Sequence, residues 1–162
     1  QTCALPIFTN TEIYGNYYGK VGLNLAIAAT FDVRWLVTQA GVGMTWSEIA
    51  IAKGAPVLNG AATLTVVGFV STAGVITSLG GKTSSIPLTA ALVADDDIWL
   101  LWAVSATTTP PIVQASNLGD PLQSGYILQA AGSLRPSAIV GVPTSIALAG
   151  ASVVEIWAAI DT

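Results

Sequence analysis

The sequence predicts an all-β domain, an antiparallel β-sandwich of jelly-roll-like form with about eight strands. Three observations carry that prediction. Apolar residues recur with a period of two, the spacing that puts alternate side chains on one face of a strand. Turn residues separate the runs at intervals of roughly 8–12 residues. No stretch of about 12 residues or more shows a helical apolar stripe.

The elements follow in order. Val21, Leu23, Leu25 and Ile27 alternate with Gly22, Asn24 and Ala26, which reads as a first strand. Phe31, Val33, Trp35 and Val37 alternate with Asp32, Arg34 and Leu36 and make the clearest half-buried strand. Trp46 to Ile51 sets Ile49 and Ile51 beside Ser47 and Glu48. Thr63 to Val70 is β-branched and aromatic, as pleated surfaces favour. A short strand is expected at Gly74 to Thr77 and another at Ser84 to Leu88. Asp97 to Ala106 is nearly all apolar, and Ser152 to Ile160 is interrupted only by Glu155. Gly41-Val42-Gly43, Lys53 to Pro56, Asn59-Gly60, Gly80-Gly81, Asp95 to Asp97, Pro110-Pro111 and Gly119-Asp120-Pro121 supply the turn chemistry between them. Pro110 to Pro136 reads as loops with one short strand. The expected core holds Leu23, Leu25, Phe31, Val33, Trp35, Ile49, Ile51, Leu64, Val66, Ile98, Leu100, Trp102, Val154 and Ile156.

Composition narrows the function classes. The chain has 162 residues, which fits one domain, and charged residues make up 9% of it. An ordinary soluble domain carries about 25%. Five basic residues leave no electrostatic footprint for nucleic acid. Histidine is absent, so no imidazole base or ligand exists. A single cysteine excludes an internal disulfide and a Cys-rich zinc site. A hydrophobic share of 52% excludes intrinsic disorder. Ser137 to Val154 is uncharged, but Gly141, Pro143 and Gly150 interrupt it and flanking cations are sparse, so no membrane span is expected.

Residues that carry chemistry are few. Serines and threonines lack a histidine to activate them, and Lys20, Lys53 and Lys82 sit beside glycines in turn-like sequence. Gly81-Lys82-Thr83 resembles the end of a phosphate loop, but the glycine required five residues earlier is Ile76. Asp95, Asp96 and Asp97 form the one acidic cluster. A calcium site is its weak functional reading. A charged turn that shields the apolar run Ile98–Val104 from aggregation is the stronger one. No cofactor is expected. Tyr14, Tyr17 and Tyr18 lie among Gly15, Asn16 and Gly19, a loop composition suited to adaptable binding. Trp99 and Trp102 are three apart and therefore face opposite sides of a strand. One belongs to the core. The other, Trp99, is a candidate partner contact with the three tyrosines, either outward or in a second layer.

Two resemblances add to this reading. Gln1-Thr2-Cys3-Ala4-Leu5-Pro6-Ile7 resembles a translated sequencing adapter. Residues 1–7 are therefore expected to be a scar, with Cys3 artefactual and 8–162 the domain. The succession Lys20–Ile27, Phe31–Thr38, Trp46–Gly54, Thr65–Val75, Ile86–Thr89 and Ile98–Val104 resembles β-sandwich domains of tailed-bacteriophage virion proteins, such as tail fibres and other exposed components. Ala50 stands where that pattern often has glycine, and Lys20 replaces an aromatic lead-in. The resemblance implies a non-enzymatic virion protein at the particle surface, in a fibre, receptor-binding or capsid-decoration role. Its partners would be other subunits, with a homotrimer favoured, and a host-surface glycan. The competing expectation is a carbohydrate-binding or adhesin module of a cell-surface protein.

Overall fold

The computed structural model describes residues 11–22, 24–56, 62–109, 111–113, 115–117, 131–134, 144–148, 154–156 and 158–161. The fold is all-β, and every strand pairing is antiparallel. Six long strands carry it: β1 (Thr11–Lys20), β2 (Thr30–Gln39), β3 (Val42–Lys53), β4 (Ala62–Ser71), β5 (Gly80–Pro87) and β6 (Asp97–Thr109). Shorter segments add to their edges: β7 (Ile112–Val113), β8 (Ala115–Asn117), β9 (Ala131–Leu134), β10 (Ser145–Leu148), β11 (Val154–Ile156) and β12 (Ala158–Asp161).

Two sheets form the layers. The larger has the order β10-β4-β3-β6-β1-β9, and the smaller has β12-β2-β5 with β7 on β2. A separate pair joins β11 to β8. Among the long strands and β7, the chain crosses between the layers after β1, β2, β4, β5 and β6, so consecutive strands mostly lie in opposite sheets.

β2 shows why the sandwich closes. Its inward residues Phe31, Val33, Trp35 and Val37 are each at most 1% exposed, and the residues between them reach the surface. They pack on Ile49 and Ile51 of β3, Ile86 of β5, and Leu100, Trp102 and Val104 of β6. Trp35 and Trp102 meet nearly edge to face, with ring centroids 4.3 Å apart at 76°. Such a pair adds about 0.5–1.5 kcal/mol beyond its area. The Trp35 indole N–H donates to Ser84 Oγ at 3.1 Å, so its polar end is satisfied.

The opposite face of the large sheet is buried as well. Ile13, Trp46, Ala50, Ala52, Leu64, Trp99, Leu101, Ala103 and Ile146 form a second apolar cluster there. β3 and β6 are therefore covered on both faces, which is the condition for a continuous apolar run without alternation. That explains Ile98–Val104, every residue of which is buried.

Several expectations are corrected. Val21–Ile27 is not a strand, because β1 ends just before it. Gly19 takes φ of +113°, the β1–β6 register slips between Tyr17 and Gly19, and Ala28 takes φ of +71°. Leu25 makes only an isolated bridge to Leu92, and Ile27 is 64% exposed. Gly74–Thr77 is a turn in which the Val75 and Ile76 N–H groups both donate to Thr72 O at 3.0 Å. Gly80-Gly81 opens β5 instead of forming the turn itself. Tyr14–Gly19 is not a loop but the body of β1, paired on one side with β6 and on the other with β9. Between Pro110 and Pro136 the described residues hold three strand segments, β7, β8 and β9. Of the expected core, Leu25 and Val66 are half-buried, and Leu23 and the Val154 and Ile156 side chains lie outside the described residues. Among the described residues no helix is long and apolar enough to cross a membrane.

Candidate functional site

One end of the large sheet collects most of the residues singled out from the sequence. β1 and β6 run antiparallel with Tyr17 opposite Trp99 and Lys20 opposite Asp97. β3 flanks β6 on its other side, with Ala52 opposite Trp99 and Lys53 opposite Ile98. The register alone therefore brings two aromatics, two lysines and the acidic turn together.

Their polar atoms are occupied by one another. The Tyr17 hydroxyl donates to Asp97 Oδ1 at 2.7 Å. Lys20 Nζ lies 3.7 Å from Asp97 Oδ2 and donates to Asp95 O at 3.0 Å. Lys53 Nζ donates to Asp96 Oδ2 at 3.3 Å, and that oxygen also accepts the Val93 N–H at 3.0 Å. Asp95 is exposed and takes φ of +72°, a left-handed conformation that aspartate tolerates better than most residues. Burial, then the hydrogen bond to Asp97 and then its negative charge push the Tyr17 phenol up to about 12 from an ordinary 10.0.

The aromatics are built in. Trp99 is fully buried in the second cluster, and its indole N–H donates to Gly54 O at 2.8 Å. Tyr17 is half-buried against it, with centroids 5.5 Å apart at 54°. Trp99 thus occupies the second layer, not an outward position. Tyr18 is half-buried on the core between the sheets. Tyr14 stands opposite Trp102 on β6 and Ser133 on β9, and its side chain lies outside the described residues.

The three aspartates do not converge. Asp96 turns to Lys53 and Asp97 to Tyr17 and Lys20, so each partnered carboxylate already meets a cation. Among the described residues no group of three or more His, Cys, Asp or Glu is placed to hold a metal ion. The arrangement braces the ends of β1, β3 and β6.

Sequence reasoning missed two other features. Ser47 and Thr72 are buried with their hydroxyls 2.7 Å apart, and the Thr72 N–H donates to Ser47 O at 2.8 Å. This bond ties β3 to the turn after β4, across 25 residues that no local pattern spans. The second is a shallow groove of about 340 Å³ on the small sheet, lined by Arg34, Trp35, Leu36, Gly81, Lys82 and Thr83. It is largely apolar and its lining holds no carboxylate.

No family model matches the chain, and comparisons with curated proteins and with solved structures return no match.

Proposed function

We propose that the chain is a non-enzymatic structural domain of a tailed-bacteriophage virion, a tail-fibre, receptor-binding or capsid-decoration domain at the particle surface. One observation carries the reading. Where the candidate residues meet, their hydrogen bonds and charges are spent on one another, as in a brace and not a reaction centre. General acid–base work needs a group within reach of a substrate proton. Here the partnered carboxylates face lysines and a tyrosine. The strand order resembling phage sandwich domains and the scarcity of charge support the same reading. The rival carbohydrate-binding module draws on Tyr17 and Trp99 as a stacking platform, and the burial of Trp99 leaves it no open ring face.

Virion domains work as assemblies, and a homotrimer is the form proposed. Light scattering after size exclusion tests this. A species at three times the 16.5 kDa chain mass is expected. A monomer at every concentration overturns the assembly reading. Glycan binding that is lost on Tyr17→Ala, in a monomer, transfers the case to the carbohydrate-binding module.

A further inference from the structure

β5 is an edge strand whose open side has a defined chemistry. Among the described residues it pairs only with β2. The Leu88 N–H donates to Ala29 O at 2.8 Å, one step beyond the Thr30–Pro87 position of the ladder. Bonded pairs alternate along antiparallel strands. The bonded pairs are therefore Phe31–Ile86, Val33–Ser84, Trp35–Lys82 and Val37–Gly80. Gly81, Thr83, Ser85 and Pro87 turn their backbone groups away from β2. Pro87 has no N–H to leave open, and its carbonyl already meets β4, where a Cβ on Gly68 would lie 2.6 Å from Pro87 O. Gly80, with φ of +100°, turns the chain away at the other end. The open edge is thus the five residues Gly81–Ser85.

We propose that this edge pairs with the same edge of a second copy, antiparallel about a two-fold axis at Thr83. That register sets Thr83 opposite its counterpart and Gly81 opposite Ser85 of the second copy, so all three open positions bond. Self-complementarity is the argument for a second copy as the occupant, because one register satisfies every open donor and acceptor on both sides. Among the described residues, β5 itself carries little of the charge that usually obstructs such pairing. Natural edges are blocked by inward or facing charge. Lys82 is the one charged residue of β5, and its ammonium is drawn back to Ser78 Oγ at 2.7 Å and Leu79 O at 3.2 Å. Across the axis Lys82 faces Ser84, not another lysine. The side chains at the three bonding positions are small and exposed, and a Cβ on Gly81 would meet nothing within 4 Å. A five-residue ladder is far smaller than the roughly 1,600 Å² of a standard interface, so the contact is weak alone and gains from other contacts in an assembly.

This two-fold contact is separate from the three-fold contact of the proposed homotrimer and requires no virion; weak alone, it would join trimers into a six-chain species only at high concentration, and the test separates the two. Cys3→Ser with Thr83→Cys, oxidised with diamide at high protein concentration, is expected to give a disulfide-linked species at twice the 16.5 kDa chain mass on a non-reducing gel. Cys3→Ser with Thr77→Cys, an exposed position off the edge, is expected to give at least tenfold less. Thr83→Lys, which sets two cations face to face across the axis, is expected to remove the two-fold contact in light scattering while circular dichroism stays unchanged. An oligomer that survives Thr83→Lys, with no Thr83→Cys disulfide, overturns the β5 contact and leaves the assembly reading standing. A monomer with no Thr83→Cys disulfide overturns both.

Discussion

Tyr17 offers the most direct test of the brace. Its phenol is pushed up to about 12, first by burial, then by its hydrogen bond to Asp97 and by that carboxylate's charge. In the unfolded chain it ionises near its ordinary 10.0. A group whose folded value is raised contributes its full stability below the unfolded value and loses it as pH climbs towards the folded one. The parent should therefore lose this contribution between about pH 10 and pH 12. Two units correspond to about 2.7 kcal/mol at most. Tyr17 is only half-buried, so water screens the interaction and about 1 kcal/mol is the expected size. Urea unfolding of the parent and Tyr17→Phe at pH 8 and pH 11.5 measures it. The Lys20–Asp97 and Lys53–Asp96 ion pairs are present in both proteins, so the difference between the two isolates the phenol. Tyr17→Phe should be about 1 kcal/mol less stable at pH 8, with the gap nearly closed at pH 11.5. An equal gap at both pH values would refute the reasoning, because the bond to Asp97 would then not depend on the phenolic proton.

Three further outcomes are expected. Trp35→Phe should cost about 1 kcal/mol more than Trp102→Phe in chemical denaturation, because it leaves buried Ser84 without its indole partner, whereas Trp102 Nε1 has no partner among the described residues to lose. Ser47→Ala should cost about 1–3 kcal/mol by leaving the Thr72 hydroxyl buried and unpaired, measurable as a fall in urea midpoint at constant slope. Gly68→Ala should lower the melting temperature by roughly 2–10 °C, since its Cβ meets backbone at Pro87 O, while Gly81→Ala should stay within a degree or two.

The legible and illegible parts of the sequence divide along physical lines. β2 was legible because one of its faces is buried and the other is not, which writes a period of two into the residues. β6 was legible as a strand, but its double burial was not, because an apolar run does not reveal what covers each face. Val21–Ile27 alternates like a strand for a different reason. Val21 is buried and Leu25 half-buried where this segment is tied to residues 88–96 by Leu25–Leu92, Val21–Asp96 and Ala28–Leu88 backbone bonds. The periodicity records burial, and the glycine and positive-φ positions break the ladder. β1 was missed for the converse reason. Tyr, Gly and Asn read locally as a loop, and pairing with β6 and β9 overrides that preference. The candidate residues were visible by type, but Tyr17 meets Asp97 across 80 positions, a separation only the strand register supplies.

The placement of charge links the brace to the open edge. Of the four described cations, Lys20 and Lys53 lie at strand ends and neutralise Asp97 and Asp96. Charges committed to strand ends protect no edge, because unwanted pairing is discouraged only by charge facing an incoming strand. β5 shows the consequence: among the described residues Gly81, Thr83 and Ser85 present open backbone, the charges beside them, Asp32 and Arg34, belong to the neighbouring strand β2, and Pro87 limits the edge without closing it. A chain with charge at 9% of its residues has little left to block such an edge, and Leu79 beside it is 63% exposed. An isolated copy would carry that edge as an aggregation hazard. Pairing through it, as proposed, would convert the same groups into bonded structure, which is how scarce charge and a self-matched register bear on one another.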